Sequence, residues 1–168
     1  YSLWSHKRRR DQFKKLSTQG YQAWEGKAHH PGQNKPAAEL TEEDKQIVGL
    51  RQQISRAIGN HDLDDATKTY LKLIDEHGDQ TLSQRQQFDL ANHLFAQGNH
   101  AHAATAYERL LAAYPKHEER GHAQLMLGLI NARYLNQPDA AKPLLQEASQ
   151  RLHGDDAALA RQLLSEIG

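Results

Sequence analysis

The chain contains no cysteine. Disulfides and Cys-based metal sites are therefore excluded, and the redox compartment is left open. Valine occurs once, at Val48, and Ile and Thr are sparse. A sheet protein draws heavily on β-branched residues, so their scarcity argues against strands. No apolar run of about 18 residues exists, so nothing in the sequence reads as a membrane-spanning helix. Catalytic signatures are missing as well. There is no Gly-rich phosphate loop, no Gly-x-Ser-x-Gly elbow and no His-Glu-x-x-His. The expectation is a protein that is not an enzyme and needs no cofactor.

Helix formers fill the space left by these absences: Ala, Leu, Gln, Arg, Glu and Lys recur throughout the 168 residues. The formal net charge is zero, but it is unevenly spread. Residues 1–35 carry eight Lys/Arg against two Asp/Glu, and residues 36–168 carry 13 against 19. A basic tail on an acidic body suggests two regions with different roles.

The chain begins at Tyr1 and not at Met, which reads as a piece of a longer or processed chain. Tyr1 and Trp4 precede a basic cluster of Lys7, Arg8, Arg9, Arg10, Lys14 and Lys15. Aromatic residues and then positive charge typify the cytoplasmic flank of a membrane helix, and such a cluster also suits an anionic membrane surface. A solvated basic helix explains it equally well, and both readings stay open. The first implies a cytoplasmic protein at the inner face of a membrane. Nucleic acid is an alternative partner for this tail, in an adaptor role. Against it, only Phe13 interleaves with the basic residues and the body is acidic. Residues 1–25 thus form a basic N-terminal segment. Residues 26–40, with Gly26, Pro31, Gly32 and Pro36, read as a flexible linker.

From Thr41 onward the pattern becomes helical. Thr41 to Asp44 has the form of a capping box, and Ile47, Leu50, Ile54 and Ile58 come next at helical spacing. Asp62 is placed to cap a second helix carrying Leu63, Ala66, Tyr70, Leu73 and Ile74, closed by Gly78. Ser83 opens a third with Phe88, Leu90, Ala91, Leu94 and Phe95, stopped by Gly98. Asn99 opens a fourth with Ala103, Ala106, Tyr107, Leu110 and Leu111, closed by Tyr114 and Pro115. A third pair carries Leu125, Leu127, Leu129, Ile130 and Tyr134, then Ala141, Leu144, Leu145 and Ala148. Gly154 closes that pair, and Asp155 is placed to cap a last helix through Leu163 and Ile167. Seven short amphipathic helices are expected. Each is marginal alone, so they must stack.

A repeat runs through these helices. Ala66/Tyr70, Ala103/Tyr107 and Ala141/Leu145 each set a small residue four before a large one, and the small residues lie 37 and 38 apart. The middle unit is the most complete, with Leu90-Ala91, Leu94, Gly98-Asn99, Ala103, Tyr107 and Pro115. This resembles the tetratricopeptide repeat over residues 41–168. The first unit departs from the pattern, with Gln53-Ile54 where Leu-Gly would stand, and Asn131 replaces an aromatic in the third. The resemblance implies an all-α fold: a short right-handed α-solenoid of three hairpins closed by a capping helix. The period exceeds the family's usual length, so the turns must hold extra residues.

The resemblance also implies a protein or peptide partner bound along the first helix of each hairpin. Carried over by position, that groove comprises Arg51 and Ser55; Arg85, Phe88, Asn92 and Phe95; and His122, Leu125, Leu129 and Arg133. Asn92 matches the Asn of a subfamily that clamps a terminal carboxylate, but Phe88 stands where its Lys belongs. A partly apolar ligand fits better. Eleven histidines raise the question of metal. No His-x3-His pair occurs on a helix, and His93, His100 and His102 read as solvated, so no metal site is expected.

One consequence is testable at once. If Ala103 sits where two helices touch, Ala103→Leu should cost roughly 1–3 kcal/mol by overpacking. Denaturant unfolding measures this, and a neutral substitution would break the proposed register.

Overall fold

A computed structural model describes residues 39–168. The basic segment and most of the linker, with Lys7, Arg8, Arg9, Arg10, Lys14 and Lys15, lie outside the described residues. Those described form seven helices: α1 (Glu42–Gly59), α2 (Leu63–His77), α3 (Gln84–Ala96), α4 (His100–Ala113), α5 (Arg120–Arg133), α6 (Pro138–Arg151) and α7 (Gly154–Ile167). No strand occurs among the described residues, and no helix there is long and apolar enough to cross a membrane.

Local sequence explains most of the boundaries. Thr41 Oγ1 accepts from the Asp44 N–H at 3.1 Å, and the Asp44 carboxylate accepts from the Thr41 N–H at 3.1 Å. This reciprocal pair satisfies two donors that α1 would otherwise leave open. Asp62 caps α2 through the Asp65 N–H at 3.0 Å. Gly98 takes φ 78° to turn the chain from α3 toward α4, a conformation that glycine adopts without penalty.

Three expected caps turn out otherwise. Ser83 makes no side-chain cap, and Gln86, which a capping box would send back to it, reaches across to Ser55 Oγ instead. Asn99 Oδ1 bonds to His102 and not to the helix start. Gly154 does not end α6 but begins α7, with His153 before it and Asp155 already in the first turn. Gln86 is drawn off by a distant partner, Ser55, whereas Asn99 is taken by a side chain in the first turn of its own helix. Pro143 sits inside α6, where it removes one backbone donor.

The helices pair as hairpins, α1 on α2, α3 on α4 and α5 on α6, and successive hairpins stack through α2 on α3 and α4 on α5. The last helix packs on both α6 and α5. The connections inside the first two hairpins are short, Asn60–Asp62 and Gln97–Asn99, whereas six residues join each hairpin to the next, Gly78–Ser83 and Tyr114–Glu119. The extra length of the repeat lies in those junctions.

One core runs through the whole stack. Tyr70, Leu73, Leu90, Leu94, Tyr107, Leu110, Ile130, Leu145 and Leu163 are all buried. Between paired helices the small residues Ala66, Ala103 and Ala141 are buried too. Ile54, Ala91 and Gly128 hold the equivalent place on the first helices, 37 residues apart each time. The closest approach comes at Gly128, where an added Cβ would stand 2.6 Å from Leu145 Cδ2 and 2.7 Å from its Cγ. Leu145 is itself fully buried and has no room to retreat.

Two helix-interior glycines should therefore respond to alanine with opposite signs. Around Gly49 nothing lies within 4 Å of an added Cβ. Gly49→Ala should stabilise by about 0.5–1 kcal/mol through helix propensity. Gly128→Ala gains the same propensity, but overpacking of about 1–3 kcal/mol outweighs it, so a net loss is expected. Chemical denaturation of both variants checks the pair, and stabilisation by Gly128→Ala would contradict the packing described.

Candidate functional site

The three first helices carry the residues expected to line a groove, and the structure gives them different duties. On α1, the Arg51 guanidinium reaches Thr81 O at 2.8 Å and Gln80 Oε1 at 3.2 Å. Burial pulls its pKa down to about 10, partly offset by Tyr114 and Tyr70, so it stays charged at neutral pH. Arg51 thus pins the loop between the first two hairpins and is not an open groove residue. Ser55 accepts from Gln86 at 3.1 Å and stitches α1 to α3.

On α3 the picture is more open. Arg85 is exposed and pairs with Asp89 at 3.1 Å, one turn along. Asn92 Oδ1 takes the hydroxyl of buried Tyr107, whose pKa burial pushes up. That carboxamide oxygen is therefore already engaged. Phe88 and Phe95 are each half-buried against the core. The Phe88 ring lies 5.9 Å from that of His117. Phe95 meets His100 edge-on at 5.5 Å and Tyr134 at 6.1 Å, while His100 and Tyr134 stack at 3.7 Å. Half of the Tyr134 surface, 50%, remains exposed.

On α5 the expected groove face is largely covered. Leu125 and Leu129 are only 3% and 9% exposed, so they belong to the core and offer no contact surface. His122, one turn before Leu125, bonds Asp156 of α7 at 2.9 Å and Glu119 at 2.8 Å. Arg133, one turn beyond Leu129, bonds Glu166 of α7 at 3.0 Å. The last helix is thus tied to α5 at both ends and lies over the stretch between. Position in the repeat assigned Leu125 and Leu129 to the groove, and α7 removed them from it.

Two surface residues were missed by the sequence reading. Val48, 39% exposed, precedes Arg85 by the same 37 residues that separate Arg85 from His122. That register was the signal available for it. Tyr134, expected on the apolar face of α5, instead follows the last residue of that helix, and half its surface is exposed. The histidines disperse to separate partners: His93 to Asp64 at 2.7 Å, His100 to Tyr134 and His102 to Asn99 at 2.9 Å. Among the described residues no three His, Asp or Glu side chains converge as a metal would require.

The His122 junction carries a pH dependence of known sign. Burial lowers its pKa, but the hydrogen bonds to Asp156 and Glu119 raise it more, and the net shift is upward. Its contribution is therefore fully present below the ordinary value of 6.5 and is lost as pH rises through the raised folded value. Amide exchange at the start of α7, corrected for intrinsic rates, should show weaker protection at mildly alkaline pH than at mildly acidic pH. His122→Gln should remove that difference, and its persistence would assign it elsewhere.

A family model described as tetratricopeptide repeat matches residues 52–118 and again residues 88–151. The matches overlap on the α3–α4 hairpin and begin 36 positions apart, close to the 37-residue spacing of the buried small residues. No curated protein matches the chain. Together the two matches span more than half of the sequence and coincide with the same hairpins that the core joins. The chain belongs to the tetratricopeptide repeat family.

Proposed function

We propose that this chain is a non-catalytic interaction module that takes a peptide or protein segment along α1 and α3, from Val48 past Phe88 and Asn92 to the Phe95–Tyr134 rim. Repeats of this family generally mediate protein–protein interaction. What supports this path is the aromatic cluster of Phe95, His100 and Tyr134, which leaves a stacked ring half in solvent beside a well-closed core. Exposed aromatics with a rigid backing are frequent anchors, because little side-chain entropy is lost when they are covered. Arg85, with its carboxylate partner, sits at the polar edge of this path. In the same reading, the basic residues before the linker hold the module near an anionic membrane surface, as part of a membrane-associated scaffold or assembly factor.

The mixed character of the path, apolar at Val48, Phe88 and Tyr134 and polar at Asn92 and Arg85, suits an amphipathic helix or an extended segment. Peptides selected against the purified protein from a displayed random library provide the probe. Tyr134→Ala should weaken their binding by about 2 kcal/mol while costing little stability, since half the ring is already in water. Phe88→Ala and Phe95→Ala should weaken binding and also lower the denaturant midpoint, because both rings rest on the core. Selected peptides that bind all three folded variants as tightly as the native chain would refute the path.

A further inference from the structure

Three large apolar side chains stay open to solvent among the described residues: Leu40 at 40%, Val48 at 39% and Tyr134 at 50%. Leu40 stands just before α1, Val48 lies in its second turn at the near end of the proposed path, and Tyr134 closes the far end. Acidic side chains border the near end. Glu39, Glu42 and Glu43 are exposed beside Leu40, with Glu42 meeting Lys45 at 3.1 Å and Glu43 meeting His77 at 3.5 Å. Further along, charge is already balanced within the fold, Arg85 by Asp89 and Arg133 by Glu166. An occupant suited to this face carries positive charge together with apolar and aromatic side chains.

The chain itself holds such a segment. Residues 1–25 include Lys7, Arg8, Arg9, Arg10, Lys14 and Lys15, with Trp4, Phe13 and Leu16 before, between and after them. The charges of the two regions are complementary: residues 1–35 carry eight Lys/Arg against two Asp/Glu, and residues 36–168 carry 13 against 19. Opposite potentials steer an encounter and penalise the wrong surface.

We propose that residues 1–25 dock on the path that starts at Leu40 and Val48 and leads toward Tyr134, as a ligand built into the chain that a partner has to displace. The inference rests on the path proposed above and adds its regulation. Covalent continuity favours it. Residues 26–40 join the segment to the start of α1, and a chain of 15 residues spans about 20 Å as a coil and about 50 Å at full stretch. Packed helices lie about 8–10 Å apart, so α1, α3 and α5 all fall within that reach. Such a tether gives an effective concentration on the order of millimolar, enough for a weak contact to be occupied much of the time. The same charges cannot meet anionic lipid while they lie on the path, so docking and membrane attachment exclude each other.

The absence of cysteine makes a clean test possible in the full chain, because Ser5→Cys creates a single site for a nitroxide label. At low salt the label should broaden the amide resonances of Val48, Phe88 and Tyr134. Asp75 and Glu76 are the control, since His77 beside them meets Glu43 near the tether and both lie off the path. Replacing Lys7, Arg8, Arg9, Arg10, Lys14 and Lys15 together by Glu should abolish the broadening, as should about 1 M salt. The same replacement should tighten binding of the library-selected peptides about three- to tenfold, because the path is then free all of the time. Broadening that is as strong at Asp75 and Glu76 as on the path, or that survives the charge reversal, overturns the docking. Peptides that bind the path with equal affinity in both chains, with no broadening there, overturn the built-in ligand and leave the path standing. Peptides indifferent to Tyr134→Ala, Phe88→Ala and Phe95→Ala refute the path as a partner's site, and the competition with it.

Discussion

The α5–α6 hairpin depends on how closely its two helices approach, and Gly128 permits that approach by carrying no side chain. Ile54, Ala91 and Gly128 occupy one repeat position, and the side chain shrinks from four carbons to none along the chain. At Gly128 the partner helix has come so near that Leu145 fills the volume a single methyl would need. A buried side chain with nowhere to move turns such a contact into a geometric constraint and not merely an attraction. The facing alanines, 66, 103 and 141, do the same from the second helices. Stacking of successive hairpins depends on this spacing, since each pair presents its outer faces to the next.

Polar ties hold the seams between hairpins. At the first seam Arg51 of α1, Gln87 of α3 and Tyr114, just past the end of α4, converge on the Gly78–Ser83 loop, with Tyr114 Oη donating to Leu82 O at 2.7 Å. Buried polar groups are tolerated there because nearly every donor finds an acceptor, and leaving one unmet would cost about 1–3 kcal/mol. At the second seam the Glu119 N–H donates to His117 Nδ1, and Gln124 Oε1 meets no donor among the described residues. The two seams are thus tied by different groups.

The last helix limits the proposed binding path. By joining α5 at His122 and Arg133 it leaves Leu125 and Leu129 in the core. The ion pairs themselves are exposed and contribute little individually. Their role is to register a helix whose apolar face, through Ala160 and Leu163, supplies the burial.

Sequence by itself determined the helices, their number and their pairing. Apolar spacing, the Thr41 and Asp62 caps and the 37-residue recurrence are local or periodic signals, and backbone hydrogen bonding converts them directly into helix boundaries. It also named Phe88 and Phe95 as the residues between core and surface. Only the tertiary structure decided the rest. Whether Gln86 caps its own helix or bonds Ser55, whether Arg51 meets a ligand or a loop carbonyl, and whether Leu129 sees a partner or α7 all depend on groups some 30–33 positions away in the chain. A local pattern records which groups can bond. Which partner each one takes is set when distant helices compete for it, and that competition exists only in the folded chain.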